Sequence, residues 1–141
     1  MQKRLIALLA IAALAGGFAV TSGAGPISGS ITTSLSGRDE VPKGEEEGSG
    51  VATIKLDVAN GKVCWTFRVS GVKGPNAAHI HKAPAGKAGP VVVPFFGGAY
   101  KPSGCASAKP ALVRAILDNP TQYYVNIHNA EYPPGAVRGQ L

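Results

Sequence analysis

Histidine occurs only three times in this 141-residue chain, cysteine twice, and methionine and tryptophan once each. What the chain has little of already narrows its chemistry. Its basic residues are scattered and not interleaved with aromatics, which argues against a dedicated nucleic-acid surface. No spacing of Ser, His and Asp, or of Cys and His, points to a nucleophilic hydrolase. The glycine-punctuated segment from Ala83 to Pro90 is followed by no helix, so it does not resemble a phosphate-cradling loop. Glu45-Glu46-Glu47 lacks the spaced oxygen ligands and turn glycine of a calcium loop, and reads as a solvated charge run.

Long apolar runs are absent too, with one exception. Leu5 to Val20 follows Lys3 and Arg4 and precedes Ser22-Gly23-Ala24, which together make the charged, apolar and small-residue parts of a secretory signal peptide. The run is broken by Gly16-Gly17 and is short for a membrane span of about 20 residues. Residues 1–24 are therefore expected to be a signal peptide and residues 25–141 a single mature domain, periplasmic or extracellular, with no membrane span. No cysteine near the cleavage site offers a lipid anchor. Removing Lys3 and Arg4 lowers the net charge from +6 to +4, a balance that permits a general attraction to anionic cell-surface polymers. The expected partner is an extracytoplasmic protein or such a polymer. Outside the cytoplasm, Cys64 and Cys105 are expected to form one disulfide.

The mature segment reads as mainly β, an antiparallel sandwich or barrel with one short helix. Ile27 to Leu35 is an opening strand placed at an edge. Val51 to Val58 alternates, with Ala52, Ile54, Leu56 and Val58 on one face. Asn60-Gly61 signals a two-residue hairpin, and Lys62 to Val69 returns with Val63, Trp65, Phe67 and Val69 inward and Cys64 outward. Val91 to Phe96 is a short strand, and Gly97 to Ser107 reads as irregular. Pro110 to Asp118 carries Leu112, Val113, Ile116 and Leu117 on one helical face and ends at Asn119-Pro120. Tyr123 to Asn129 and Ala136 to Leu141 are the last strands.

The histidines fall on two of these strands. In Ala77-Ala-His79-Ile-His81 the period of two puts both imidazoles on one side and Ile80 on the other. In Tyr123-Tyr-Val-Asn-Ile-His-Asn129, if Val125 and Ile127 face the core, then Tyr124, Asn126 and His128 face away from it. Val137 and Leu141 inward would likewise turn Arg138 and Gln140 outward. Three neutral imidazoles on adjacent strands suit copper or zinc, copper(II) by intrinsic affinity. The same residues, with Asn126 and Arg138, could instead form a polar network tying loops to the sheet.

Leu35-Ser-Gly-Arg-Asp-Glu40-Val-Pro42, Gly50-Val-Ala-Thr53, Ala78-His-Ile-His81, Gly89-Pro-Val-Val92 and the stretch from Asn119 through Leu141 resemble, in order, the CHRD family, first recognised as repeats in chordin. The resemblance spans nearly the whole mature chain. It implies an immunoglobulin-like β-barrel, exported as a single-domain binding or structural module, and a distant likeness to Cu/Zn superoxide dismutase. Under that likeness His79 and His81 resemble copper ligands, His128 the later ligand histidine, and Arg138 the anion-guiding arginine. A binuclear centre is excluded by count, since it needs further histidines and this chain has three. The metal site expected is then mononuclear, His79, His81 and His128, with Asn126 and Arg138 supporting it.

Overall fold

The computed structural model describes residues 27–141; the expected signal segment, residues 1–24, lies outside the described residues. Eight strands and one helix follow in chain order. They are β1 (Ser28–Ser36), β2 (Ser49–Asp57), β3 (Lys62–Ser70), β4 (Ala77–Lys82), β5 (Val91–Gly97), β6 (Ser103–Ser107), α1 (Pro110–Asp118), β7 (Tyr123–His128) and β8 (Val137–Gln140). They form one antiparallel sheet in the order β5-β4-β7-β8-β1-β2-β3-β6. The sheet curls until its two edges nearly meet, and Trp65 of β3 stacks on Phe95 of β5 at 4.6 Å across the seam.

Alternation produces the inner face as expected. Ala52, Ile54, Leu56, Val63, Ile80, Val125, Ile127 and Val137 are all essentially inaccessible. Val113 and Ile116 bring the inner side of α1 onto this core. Burying side chains of this size contributes roughly 1.5–3 kcal/mol each, the main force closing the sheet. Gly139 lets β8 lie close to β1, since a Cβ there would press into the Ser34 carbonyl.

Three local expectations need correction. β1 is not an edge; it lies between β8 and β2, and the edges are β5 and β6. The hairpin is real, but register pairs Asp57 with Lys62, leaving a four-residue loop in which only Gly61 has positive φ. Asn60 is held there by Asp57, which accepts from its backbone N–H at 3.0 Å and from its side-chain amide at 2.7 Å. That Asx contact supplies the turn chemistry in place of a second positive φ. The third correction is Ser103–Ser107, read as irregular, which is strand β6.

Nothing in Ser-Gly-Cys-Ala-Ser favours a strand by itself. It becomes one because Cys64 and Cys105 are register partners and are joined as a disulfide on the outer face. The bridge closes a loop with a sequence separation of 41. Replacing both cysteines by alanine should lower unfolding free energy by about 3–4 kcal/mol in the chain-entropy view. The denaturant midpoint reads this directly, with amide exchange in β6 rising first; an unchanged midpoint would mean that the sheet holds β6 unaided.

Candidate metal centre

The outer face of β4, β7 and β8 is not an open surface. Loops spanning residues 83–90, 129–136 and 37–48 cover it, so side chains pointing away from the core enter a second, polar interior. Asn126, Arg138, His81 and His128 all lie at 8% exposure or less. Covering loops bring backbone carbonyls, and buried carbonyls need donors.

Those donors are the side chains beneath. Arg138 donates to Lys87 O at 2.7 Å and Pro84 O at 2.9 Å, and to Gln140 Oε1 at 3.0 Å. Gln140 donates from its amide to Ala83 O and Tyr123 O. Arg138 also lies 3.4 Å above the Tyr124 ring, and Tyr124 stacks on His81 at 4.8 Å. A cation over an aromatic face is attracted by the ring quadrupole, so this stack fixes the plane of His81. The expected outward direction of Arg138 is correct, but its guanidinium is occupied by loop carbonyls and not by a route for anions.

Register brings the histidines together. His79 pairs across β4 and β7 with Asn126, Ala77 with His128, and His81 with Tyr124, so His128 and His81 flank the His79–Asn126 pair on one face. The three offer one ligand nitrogen each within 4.8 Å of one another. His79 Nδ1 lies 3.0 Å from His128 Nε2. A tetrahedral ion with bonds of about 2.0–2.1 Å keeps such nitrogens roughly 3.3 Å apart, so the His79–His128 pair would open slightly while the wider separations, up to 4.8 Å, would close.

The backbone also fixes which nitrogens are free. Gly89 O lies 2.8 Å from His81 Nδ1, and Pro133 O lies 2.9 Å from His128 Nδ1. A carbonyl can only accept, so each Nδ1 carries the proton and each Nε2 presents a lone pair. His81 Nε2 is buried and has no partner among the described residues. His128 Nε2 accepts from His79 Nδ1 at 3.0 Å and meets the Asn126 side-chain amide at 2.9 Å, which turns its NH2 toward a bare Nε2. An unsatisfied buried acceptor beside two further ring nitrogens is what a cation relieves, and backbone carbonyls on the far ring nitrogens are how metal-binding imidazoles are commonly oriented.

All three imidazoles are held neutral. Burial pushes His79 down to about 4, helped by the neighbouring His128 and His81. Burial likewise lowers His81 and His128, against opposing bonds to Gly89 and Pro133. Neutral imidazole is the metal-binding form, so these donors are ready at neutral pH. A depression of about 290 Å³ lined by Asn76, His79, His128, Asn129 and Pro133 opens beside the cluster and gives it access to solvent.

Sequence reasoning missed Glu40. It is 4% exposed, lies beside Asn126 and Arg138, and its Oε1 has no hydrogen-bond partner. Gly135 makes room for it, because a Cβ there would collide with the carboxyl group. Its segment has no hydrophobic period, so only its place between a 3₁₀ turn (Gly37–Asp39) and Pro42 marked it. Burial raises its pKa to about 7, overcoming the Val41 N–H, Asn126 and Arg138, which all favour the charged form. Folded Glu40 thus keeps its proton up to about pH 7, whereas an unfolded carboxyl releases it near its ordinary value of 4.5. Native chains bind more protons between those values, so this group's contribution to stability falls as pH rises through that window. Glu40→Gln should match the parent near pH 4 and exceed it near pH 8 by about 3 kcal/mol. The histidines are common to both proteins and cancel in the difference; melting curves that stay parallel across this range would refute the assignment.

A family model described as the CHRD domain matches residues 31–141. No curated protein and no solved structure matches the chain. The matched span includes every strand that supplies a histidine, the loops that cover them and Glu40, and on that match this chain belongs to the CHRD domain family.

Proposed function

We propose that this CHRD domain is an exported binding module whose bound species is a single copper or zinc ion, held by His79, His81 and His128. The observation that carries the reading is the buried, unpartnered Nε2 of His81, aimed into the same space as the ligand nitrogens of His79 and His128. Export is supported by the charged and apolar start of the sequence and by a disulfide, which belongs to an oxidising compartment. Among the described residues no helix is long and apolar enough to cross a membrane.

A bound ion would supply a Lewis-acidic centre, redox-active as well if it is copper. The chain's own residues supply the rest. His81 and His128 bind through Nε2 with their planes fixed from behind by Gly89 O and Pro133 O. His79 contributes Nδ1, and its other ring nitrogen can take the proton that otherwise bridges to His128. Asn126 and Arg138 position the set, the first against His128 and the second through Tyr124. Three nitrogen donors without a thiolate favour copper(II) over zinc by intrinsic affinity.

Titrating purified mature protein with copper(II) and zinc(II) should give one equivalent per chain. At a hundredfold excess over Kd the ion should stabilise the fold by about 2.7 kcal/mol. His79→Ala/His81→Ala should abolish both effects, and Asn126→Ala should weaken affinity by roughly 10–100-fold. Equal binding in the double variant, or none in the parent, would leave these residues as a polar network tying loops to sheet.

A further inference from the structure

The opposite half of the sheet is built differently. β1, β2, β3 and β6 pair without a bulge, nine register pairs each for β1·β2 and β2·β3 and five for β3·β6. Their outer face is exposed and dominated by hydroxyls. One row crosses all four strands, Thr32–Thr53–Thr66–Ser103, and the two threonine hydroxyls on β1 and β2 are 3.2 Å apart. Ser28, Ser30 and Ser34 continue the pattern along β1. Lys55, Lys62 and Arg68 stand on different rows of the same face. Asp57 is its one acidic group and is engaged by Asn60. Neither Lys55 nor Arg68 is ion-paired among the described residues.

We infer that this face binds an acidic, uronate-bearing polysaccharide. Three features choose that occupant. Charge complementarity calls for an anion, because three cations meet one engaged carboxylate. Their spacing calls for a dilute one: successive rows lie roughly 7 Å apart along a strand, Lys62 and Lys55 stand on adjacent rows, and the Thr32–Thr53–Thr66–Ser103 row separates Lys55 from Arg68. A sugar chain with one carboxylate per unit and hydroxyls elsewhere fits that spacing, whereas a nucleic acid calls for a denser stripe with aromatics. Size also discriminates. Four strands of up to nine residues offer roughly 15 by 30 Å, about half of the ~800 Å² per partner of a standard protein interface. Two hollows of about 400 and 420 Å³ flank Lys55 and share it, one bordered by Thr53, Thr66 and Ser103, the other by Ser28, Ser30 and Lys62. Bonded Cys64 and Cys105 hold β6 in place as the outer strand of this platform.

The inference is independent of the metal reading. Full mature protein should bind polygalacturonate in low salt, measured by calorimetry or affinity electrophoresis, and should not bind neutral dextran. Lys55→Ala/Lys62→Ala/Arg68→Ala should lower affinity by roughly tenfold or more and flatten its salt dependence, with an unchanged melting temperature showing that the fold is intact. Thr53→Val/Thr66→Val should weaken binding while leaving the salt slope as it is. His79→Ala/His81→Ala should bind as the parent does. Failure to bind polygalacturonate, equal binding to dextran, stronger binding to polyphosphate, or full affinity in the triple variant would each overturn the inference.

Discussion

The outer face of β4, β7 and β8 is governed by one constraint: loops that cover a sheet bury carbonyls, and each carbonyl must find a donor. Gly89, Pro133, Pro84, Lys87 and Ala83 find theirs in His81, His128, Arg138 and Gln140. This holds the loops down, and it also decides the chemistry below them. An imidazole that gives its Nδ1 proton to a loop has only a lone pair to offer on its other side. The polar network and the proposed metal site are therefore one construction. The network sets the tautomers, and the tautomers make the site.

Electrostatics reinforce the same result. Burial penalises charge, so the histidines are kept neutral and Glu40 is kept protonated to about pH 7. Arg138 is the one charge admitted under the loops, and it is stabilised by three acceptors and the Tyr124 ring. Removing one partner of such a group leaves an uncompensated charge, which costs far more than the net worth of the contact. The loops, the stack and the histidines should thus respond together to changes at any one of them.

Much of this was legible from residue order. Period-two alternation placed Ile80, Val125 and Ile127 inward and the three histidines outward, and helix α1 was readable from its apolar face and its flanking prolines. What escaped depended on contacts far apart in sequence. β6 is a strand because β3 and a disulfide make it one, not because its residues prefer it. β1 became an interior strand only through the return of β8, at the single register pair Ser36–Arg138. The carbonyls of Gly89 and Pro133 belong to the backbone, which no residue type announces. Glu40 sits in a segment without periodicity, so its burial could not be read from pattern.

The two halves of the sheet divide the labour. One outer face is covered by loops and histidine-lined; the other is open, hydroxylated and basic. The chemistry of the loop-covered half depends most on its protonation pattern, and nitrogen-15 NMR of the imidazoles in metal-free protein at neutral pH observes it directly. His81 and His128 are both expected to be neutral, protonated at Nδ1 and bare at Nε2, with the Nδ1 protons slow to exchange. Protonation of either ring at Nε2 would mean that the loop carbonyls do not set the tautomers, and the convergence of free lone pairs on one point would be lost.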